Sequence, residues 1–538
     1  EGLGTEDAGA VELLQTLEQD RPFFDFLATA FVLSPYLRDC ALIRPAMLVA
    51  VLSQPFDEFA QFCIDETKAC WRHCDSEATL MKVLRKAKRE LSLALGLADL
   101  GGWMKAEKIT HFLTDFADAA LGATCNFLLN EYHQSERVVL ENPETPSQSC
   151  GLIVLGMGKY GAHELNYSSD IDIILFFDLS RAMQLKSDDP TSFFVRFAKR
   201  LSKILQERTG DGYVFRVDLR LRPDPGSTPL AIPVETAFNY YEAYGQNWER
   251  AAFIKARAVA GDITCGEQFL KELSPFVWRK YLDFAAIQDV HSIKRQIHAH
   301  KGHGEIAVMG HNVKLGRGGI REVEFFVQTQ QLIAGGRREH LRKIGTIAGL
   351  QALRDDGWIA AETAEELKEA YWYLRSIEHR IQMVADEQSH TLPEDEKGLT
   401  QIAAMMGYPS SDLFSKDLIK TMQIVEKHYA ALFEASPELV GKGGNLVFTG
   451  DDEDPATVET ISDFGFKQPS QIISTVKGWH YGRYNAVRSA PAREMLTEIT
   501  PSLIEAFSET QNPDQAFFGF DRFLAGLPAG IQFFSILK

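Results

Sequence analysis

The stretch GMGKYGAHELNYSSDIDIILFFD, residues 156–178, decides how this chain is read. Its glycine-rich polar turn delivers two aspartates, Asp170 and Asp172, onto the front of the apolar run IDIILFF. Side chains alternate along a strand, so residues two apart share a face and these two carboxylates converge. An ionised carboxylate beside a buried strand is costly unless something pairs with it, and two on one face also repel each other. A compensating cation is required, from the chain or from solution. Mg²⁺ prefers hard oxygen ligands and keeps positions open for substrate phosphates, so it fits the pair, with Mn²⁺ as the alternative.

Working outward, LIVLG (152–156) reads as a short apolar strand ending in the glycine turn. Gly156 and Gly158 would let backbone amides approach a phosphate, with Ser168 and Ser169 as further donors. Downstream, TSFFVRFAKRLSKILQ puts Phe193, Phe194, Phe197, Leu201, Ile204 and Leu205 on one helical stripe. VFRVDLRLRP then alternates strictly. Phe215, Val217, Leu219 and Leu221 lie on one face of the expected strand; Arg216, Asp218, Arg220 and Arg222 lie on the other. Asp218, the lone acid of that polar face, becomes a third ligand if the helix returns the chain so that the two strands are neighbours. Three carboxylates can hold two metals, an arrangement suited to phosphoryl and nucleotidyl transfer.

Other readings compete. A G-x-G-x-x-G after a strand also suggests a dinucleotide site, but that site expects its acid at the end of the second strand. Here the acids open that strand, as a pair preceded by two serines. A D-x-D pair can also be a solvated strand end, and the Asp218 strand a wet sheet edge. The order of glycine turn, S-D-x-D, helix and third acid favours the metal site.

With 538 residues the chain exceeds what one core usually holds, so several domains are expected. Residues 1–145 read as a helical domain, 146–335 as a catalytic core, and 336–445 as a helical bundle. Residues 446–538 read as a linker and the start of a further helical region. The fold class is α+β, predominantly α-helical, with a mixed sheet core flanked by helical domains. At 45% hydrophobic and 24% charged residues the composition is that of an ordinary soluble protein. No apolar run approaches the roughly 20 residues of a membrane span. The opening EGLGTEDAG has neither a basic start nor an apolar signal core, which argues against secretion, and it lacks a starting Met.

The net charge of −18 argues against a nucleic-acid partner and leaves room for a local basic pocket holding one nucleotide. Seven cysteines form no paired framework. Cys63, Cys70, His73 and Cys74 in CIDETKACWRHC are spaced for a helical face rather than a zinc knuckle, giving a reduced, cytoplasmic reading. HSIKRQIHAHKGHGEIAVMGH (291–311) reads as an exposed helix and loop rather than a metal tract. In GGIREVEFF, Glu322 and Glu324 are expected to be solvated or to fix Arg321, and Trp248 is expected in the core. DRPFFDFLATAFVL (20–33) is echoed by DQAFFGFDRFLAGL (514–527), as though a second, related half opened there.

In this order of elements the chain resembles the nucleotidyltransferase superfamily with the DNA polymerase β-like fold. More narrowly, GMGKYGAHELNYSSDIDIILFFD, VFRVDLRLRPDP, GQNWERAAFIKARAVAGD and VKLGRGGIREVEFFVQ resemble the bacterial bifunctional glutamine synthetase adenylyltransferase/adenylyl-removing enzymes. That family carries two similar halves, one removing AMP from a glutamine synthetase tyrosine by phosphorolysis and one attaching it from ATP. The removing half reads G-G-I-R-E-I-E-F. This chain has GGIREVEF at 318–325, departing only at Val323, so the resemblance implies the removing half.

It further implies Asp170, Asp172 and Asp218 as catalytic metal ligands. Arg220, Arg222, Lys255, Arg257 and Lys314 would be nucleotide or phosphate contacts. Glutamine synthetase would be the protein substrate, and the PII signalling protein and glutamine the regulators. AMP attachment, or a regulatory module with an idle site, are the alternatives.

Overall fold

The computed structural model describes residues 20–537 except 44, 179, 181, 182, 187, 188, 279–306, 433–445, 447–454 and 481. Its centre is a five-stranded mixed sheet. Strand β1, Leu152–Gly156, is buried throughout, as a short unbroken apolar run should be when both sheet faces are covered. Strand β2, Ile171–Phe177, is buried except at Asp172. It runs antiparallel to β1, from Leu152 opposite Phe177 to Gly156 opposite Ile173. Strand β3, Val217–Asp218, lies parallel to the front of β2, pairing Ile171 with Val217 and Asp172 with Asp218. Strand β4, Ala231–Pro233, lies parallel to the rear of β2, and strand β5, Arg257–Gly261, pairs antiparallel with β1.

A parallel pair needs a crossover. Residues Pro190–Gln206 supply it as a helix capped by Asp189, with all six residues of the expected apolar stripe buried. The strand expected through VFRVDLRLRP is shorter than its alternation suggests: only Val217 and Asp218 are strand. Because β3 and β4 share one edge of β2, the chain must leave that edge after Asp218. It does so in a turn where Asp218 Oδ1 accepts from Arg220 N at 2.8 Å and the Arg222 guanidinium binds the Leu219 and Pro225 carbonyls.

Helices cover both faces. Those that position the site are α1 (Glu77–Leu100), α2 (Ala106–Gln134), α3 (the crossover, Pro190–Gln206), α4 (Ile263–Val277), α5 (Ile320–Ala334), α6 (Ala361–Ala385) and α7 (Ser411–Ala431). Strand alternation divides the core. Val154, Ile173, Leu175 and Phe177 join a large cluster with α1, α2, α3, α6 and α7. Ile153, Leu155, Ile174 and Phe176 join a smaller one with α4. Residues 461–534 carry a third apolar core around Trp479 and Phe517.

The echoed segments are both helices, Arg21–Leu33 and Pro513–Gly526, capped by Asp20 and Asn512. Among the described residues no single helix is long and apolar enough to cross a membrane. The histidines at 291–303 lie outside the described residues.

Candidate active site

Each acid is held by a different device. The turn after β1 tightens into one helical turn, Gly158–Gly161. Gly158 has φ +54, and a Cβ there would stand 3.0 Å from Asp172 Oδ2, so the backbone passes directly against the carboxylate. The loop at 164–170, which delivers Asp170, is clamped by one face of α6. Arg375 donates to the Glu164 carbonyl at 2.6 Å and to Asn166 Oδ1, His379 Nε2 lies 3.1 Å from Asn166 Oδ1, and Gln382 Oε1 accepts from Ser168 N at 3.0 Å. Asp218 is delivered by the loop before β3, which α1 grips. Arg85 donates to the Gly212 carbonyl at 2.8 Å and Lys88 Nζ to the Val214 carbonyl at 3.0 Å.

The result is a cluster in which Asp170, Asp172 and Asp218, all half-buried, bring carboxylate oxygens within 4.8 Å of one another. Among the described residues this is the one set of three or more His, Cys, Asp or Glu side chains so placed. Burial, and then the charges of Asp170 and Asp218, push the Asp172 carboxyl up to about 7, with Lys314 and Arg220 opposing. The three hard oxygen donors therefore fit a divalent cation, which would relieve the repulsion that gathers around Asp172.

Of the basic residues expected here, Arg220 stands on the acids, and the charge of Lys314 bears on Asp172. Arg220 forks onto Asp218, with Nε 3.0 Å and an Nη 2.8 Å from Oδ2. The other three are engaged in the framework. Lys255 Nζ donates to Glu164 at 2.9 Å, Glu324 at 2.8 Å and Thr346 at 3.0 Å, all buried. Arg257 forks onto Asp118 at 2.7 and 3.0 Å, and Arg222 holds its own turn. Ser168 and Ser169 turn inward: Ser168 Oγ accepts from Arg216 at 2.9 Å, and Ser169 Oγ from Asn166 N at 3.2 Å.

Glu322 and Glu324 are buried rather than solvated. Glu322 accepts from Gly318 N at 2.9 Å, and Glu324 reaches Arg321 at 3.7 Å besides Lys255. Cys63 and Cys70 are buried thiols, pushed up to about 12 by desolvation. Sequence reasoning missed Lys159, Glu378 and His390. Glu378 is wholly buried between Lys159, at 2.7 Å, and His390, at 2.7 Å. The one local clue was the position of Lys159 inside the glycine turn.

Trp248 is half-buried, not in the core, and its neighbour Glu249 is the buried one. Glu249 closes a capping box on Gln246, and its Oε1 has no partner. Burial pushes its carboxyl up to about 8. The folded chain thus keeps a proton that the unfolded chain releases near 4.5, so this group's stabilising contribution is lost as pH rises across that window. Glu249→Gln should flatten the slope, by up to about 1.4 kcal/mol per pH unit, and raise stability most at pH about 8. Denaturant midpoints measured from pH 5 to 9 check this; parallel curves for the two proteins would contradict it.

Residues 24–272 match the family model described as glutamate-ammonia ligase adenylyltransferase, and residues 291–433 match that described as GlnD PII-uridylyltransferase. Relatives named bifunctional glutamine synthetase adenylyltransferase/adenylyl-removing enzyme cover nearly the whole chain. The Rhizobium meliloti protein is 56% identical over 534 residues, 98% of this chain and 54% of its own length. The Agrobacterium fabrum protein is 54% identical over 538 residues, 99% of this chain and 54% of its own. The Mesorhizobium japonicum protein is 55% identical over 517 residues, 96% and 52%. The chain thus spans about half the length of these relatives. With the acids converged and the identity extending through every element that holds them, the chain belongs to the glutamate-ammonia ligase adenylyltransferase family.

Proposed function

We propose that this chain is the adenylyl-removing half of such an enzyme, acting on an adenylylated tyrosine of glutamine synthetase. The convergence of Asp170, Asp172 and Asp218 carries the reading, and GGIREVEF at 318–325 supports the choice of half. An oxygen of inorganic phosphate attacks the AMP phosphorus, the bond from phosphorus to the tyrosine oxygen breaks, the phenolate leaves and takes up a proton, and ADP is released. Such chemistry needs positioning and charge neutralisation, not a protein nucleophile.

Asp170, Asp172 and Asp218 would hold Mg²⁺, or Mn²⁺, which when bound supplies positive charge to the AMP phosphate. Gly158 lets the turn pass directly against Asp172. Arg220, exposed beside Asp218, presents its guanidinium to the incoming anion. A polymerase β-like core is part of the proposal, supported by the D-x-D on β2 and the third acid on its parallel neighbour.

The four-part division is also proposed. Residues 446–538 contain a core of their own, whereas the first 145 pack into the same cluster as the sheet and the helices to 425. Control by PII and glutamine, and a cytoplasmic setting, complete the reading; the match at 291–433 supports the PII connection.

Two incubations test the activity. With adenylylated glutamine synthetase, Mg²⁺ and phosphate, the chain should release ADP in proportion to phosphate. With unmodified glutamine synthetase and labelled ATP it should transfer no label. Label transfer would make this the attaching half, and inactivity in both assays would leave a regulatory module.

A further inference from the structure

Lys159 follows Gly158 directly, yet its ammonium turns to Glu378 of α6, with Nζ 2.7 and 2.8 Å from the two carboxylate oxygens. His390 Nδ1 lies 2.7 Å and Arg375 Nε 3.3 Å from the same carboxylate, as ion-pair contacts outside hydrogen-bond geometry. One acid therefore faces three basic groups, and the layering is unequal. Glu378 and Arg375 are wholly buried, whereas Lys159 keeps 11% and His390 15% of the side chain exposed.

Lys314, half-buried, forms no ion pair with a carboxylate among the described residues. Its charge favours ionised Asp172 on one side and opposes protonation of Lys159 and His390 on the other. The Val313 amide donates to the His390 carbonyl at 2.8 Å, which sets Lys314 beside the His390 segment. The net arrangement is a buried carboxylate faced by Lys159 and His390, with Lys159 one residue from Gly158, whose backbone lies against Asp172. Several basic groups around one carboxylate leave like charges close together, which is the mirror image of the acids' own problem.

We infer that Lys159, Lys314 and His390 hold the inorganic phosphate that attacks the AMP phosphorus. The inference rests on the phosphorolysis reading for the identity of the anion. The AMP phosphate belongs with the cation that the acids would hold; the attacking phosphate needs its own cationic site next to it, because two phosphates brought together repel. Two ammonium groups and an imidazole N–H offer donors and charge to a tetrahedral oxyanion. Glu378 is a positioning residue, since it touches Lys159 and His390 and not the phosphate.

Inorganic phosphate titrated into the chain, with and without Mg²⁺, and followed by calorimetry tests the site directly. Lys314→Gln and His390→Asn are the variants, because each leaves Glu378 with Lys159 and Arg375. In both, the Kd and the KM for phosphate should rise about tenfold, the loss of one charge-assisted contact, while KM for adenylylated glutamine synthetase moves less than about twofold. A phosphate Kd unchanged in both variants, no phosphate binding by the wild-type chain, or an equal rise in both KM values overturns the site. The activity reading fails separately, if wild-type ADP release does not depend on phosphate; the titration still decides the site.

Discussion

Asp170→Asn and Asp172→Asn, made singly, should each lower phosphate-dependent ADP release about a thousandfold, the scale of several kcal/mol of lost transition-state charge stabilisation. The fold should survive both. Asp172 sits among like charges at the point where β2 meets β3, and its carboxyl is already driven up by burial and by its two neighbours. Replacing it with a neutral isostere removes repulsion, so the melting temperature without metal should stay level or rise. What should vanish is the increment in melting temperature that Mg²⁺ gives the wild-type chain, because a ligand stabilises only the state that binds it. The two readouts separate a metal ligand from a structural acid, whose loss would lower stability in the absence of metal. Near-normal turnover in both variants, with the Mg²⁺ increment intact, would remove the metal centre and with it the proposed chemistry.

The part of this site visible in the sequence is the part governed by period. Alternation put Asp170 and Asp172 on one face, and a six-residue apolar stripe gave the helix that carries the chain back. The third acid then falls beside the pair because a parallel neighbour of β2 needs such a crossover. The same rule misled at Leu219–Arg222, where alternation continues but the shared edge of β2 is taken by β4 from Leu175 onward, so the segment turns away.

Side-chain partners were not legible. Lys255 and Arg257 look like anion contacts when seen alone, but their carboxylates lie 91, 69 and 139 residues away along the chain, and the Glu378 that takes Lys159 lies 219 away. Helical period likewise shows that Glu322 and Glu324 leave the Ile320 stripe. It cannot show that a second packed surface waits for them.

Lys255→Met should be the most destabilising single change in the core, costing about 3–5 kcal/mol, the scale for removing one partner of a buried ion pair. Lys255 is 4% exposed, and the two acids it joins, Glu164 and Glu324, are 6% and 3% exposed. Burial by itself would raise the Glu324 carboxyl; Lys255 foremost, then Arg321 and Lys159, hold it well below the usual range. Glu164 also accepts from Thr346 N at 2.7 Å, so the lysine ties three segments together: the loop that leads to Asp170, the α5 helix of GGIREVEF, and the helix beginning at Thr346.

Without the ammonium, the folded chain must carry two facing buried carboxylates or bind protons to them. Their folded pKa values then rise above the unfolded ones, so the variant's deficit should be largest at neutral pH and shrink as pH falls below about 5. Adding Glu324→Gln to Lys255→Met should recover part of the loss, because one uncompensated charge is removed. Denaturant midpoints at pH 5 and pH 7.5 for the single and double variants measure both effects. An anion contact would behave in the opposite way: Lys255→Met would then leave the midpoint in place and raise the KM for phosphate. That outcome would mean the lysine leaves its two acids when substrate binds, and the buried pairing would be a resting state of the site instead of its frame.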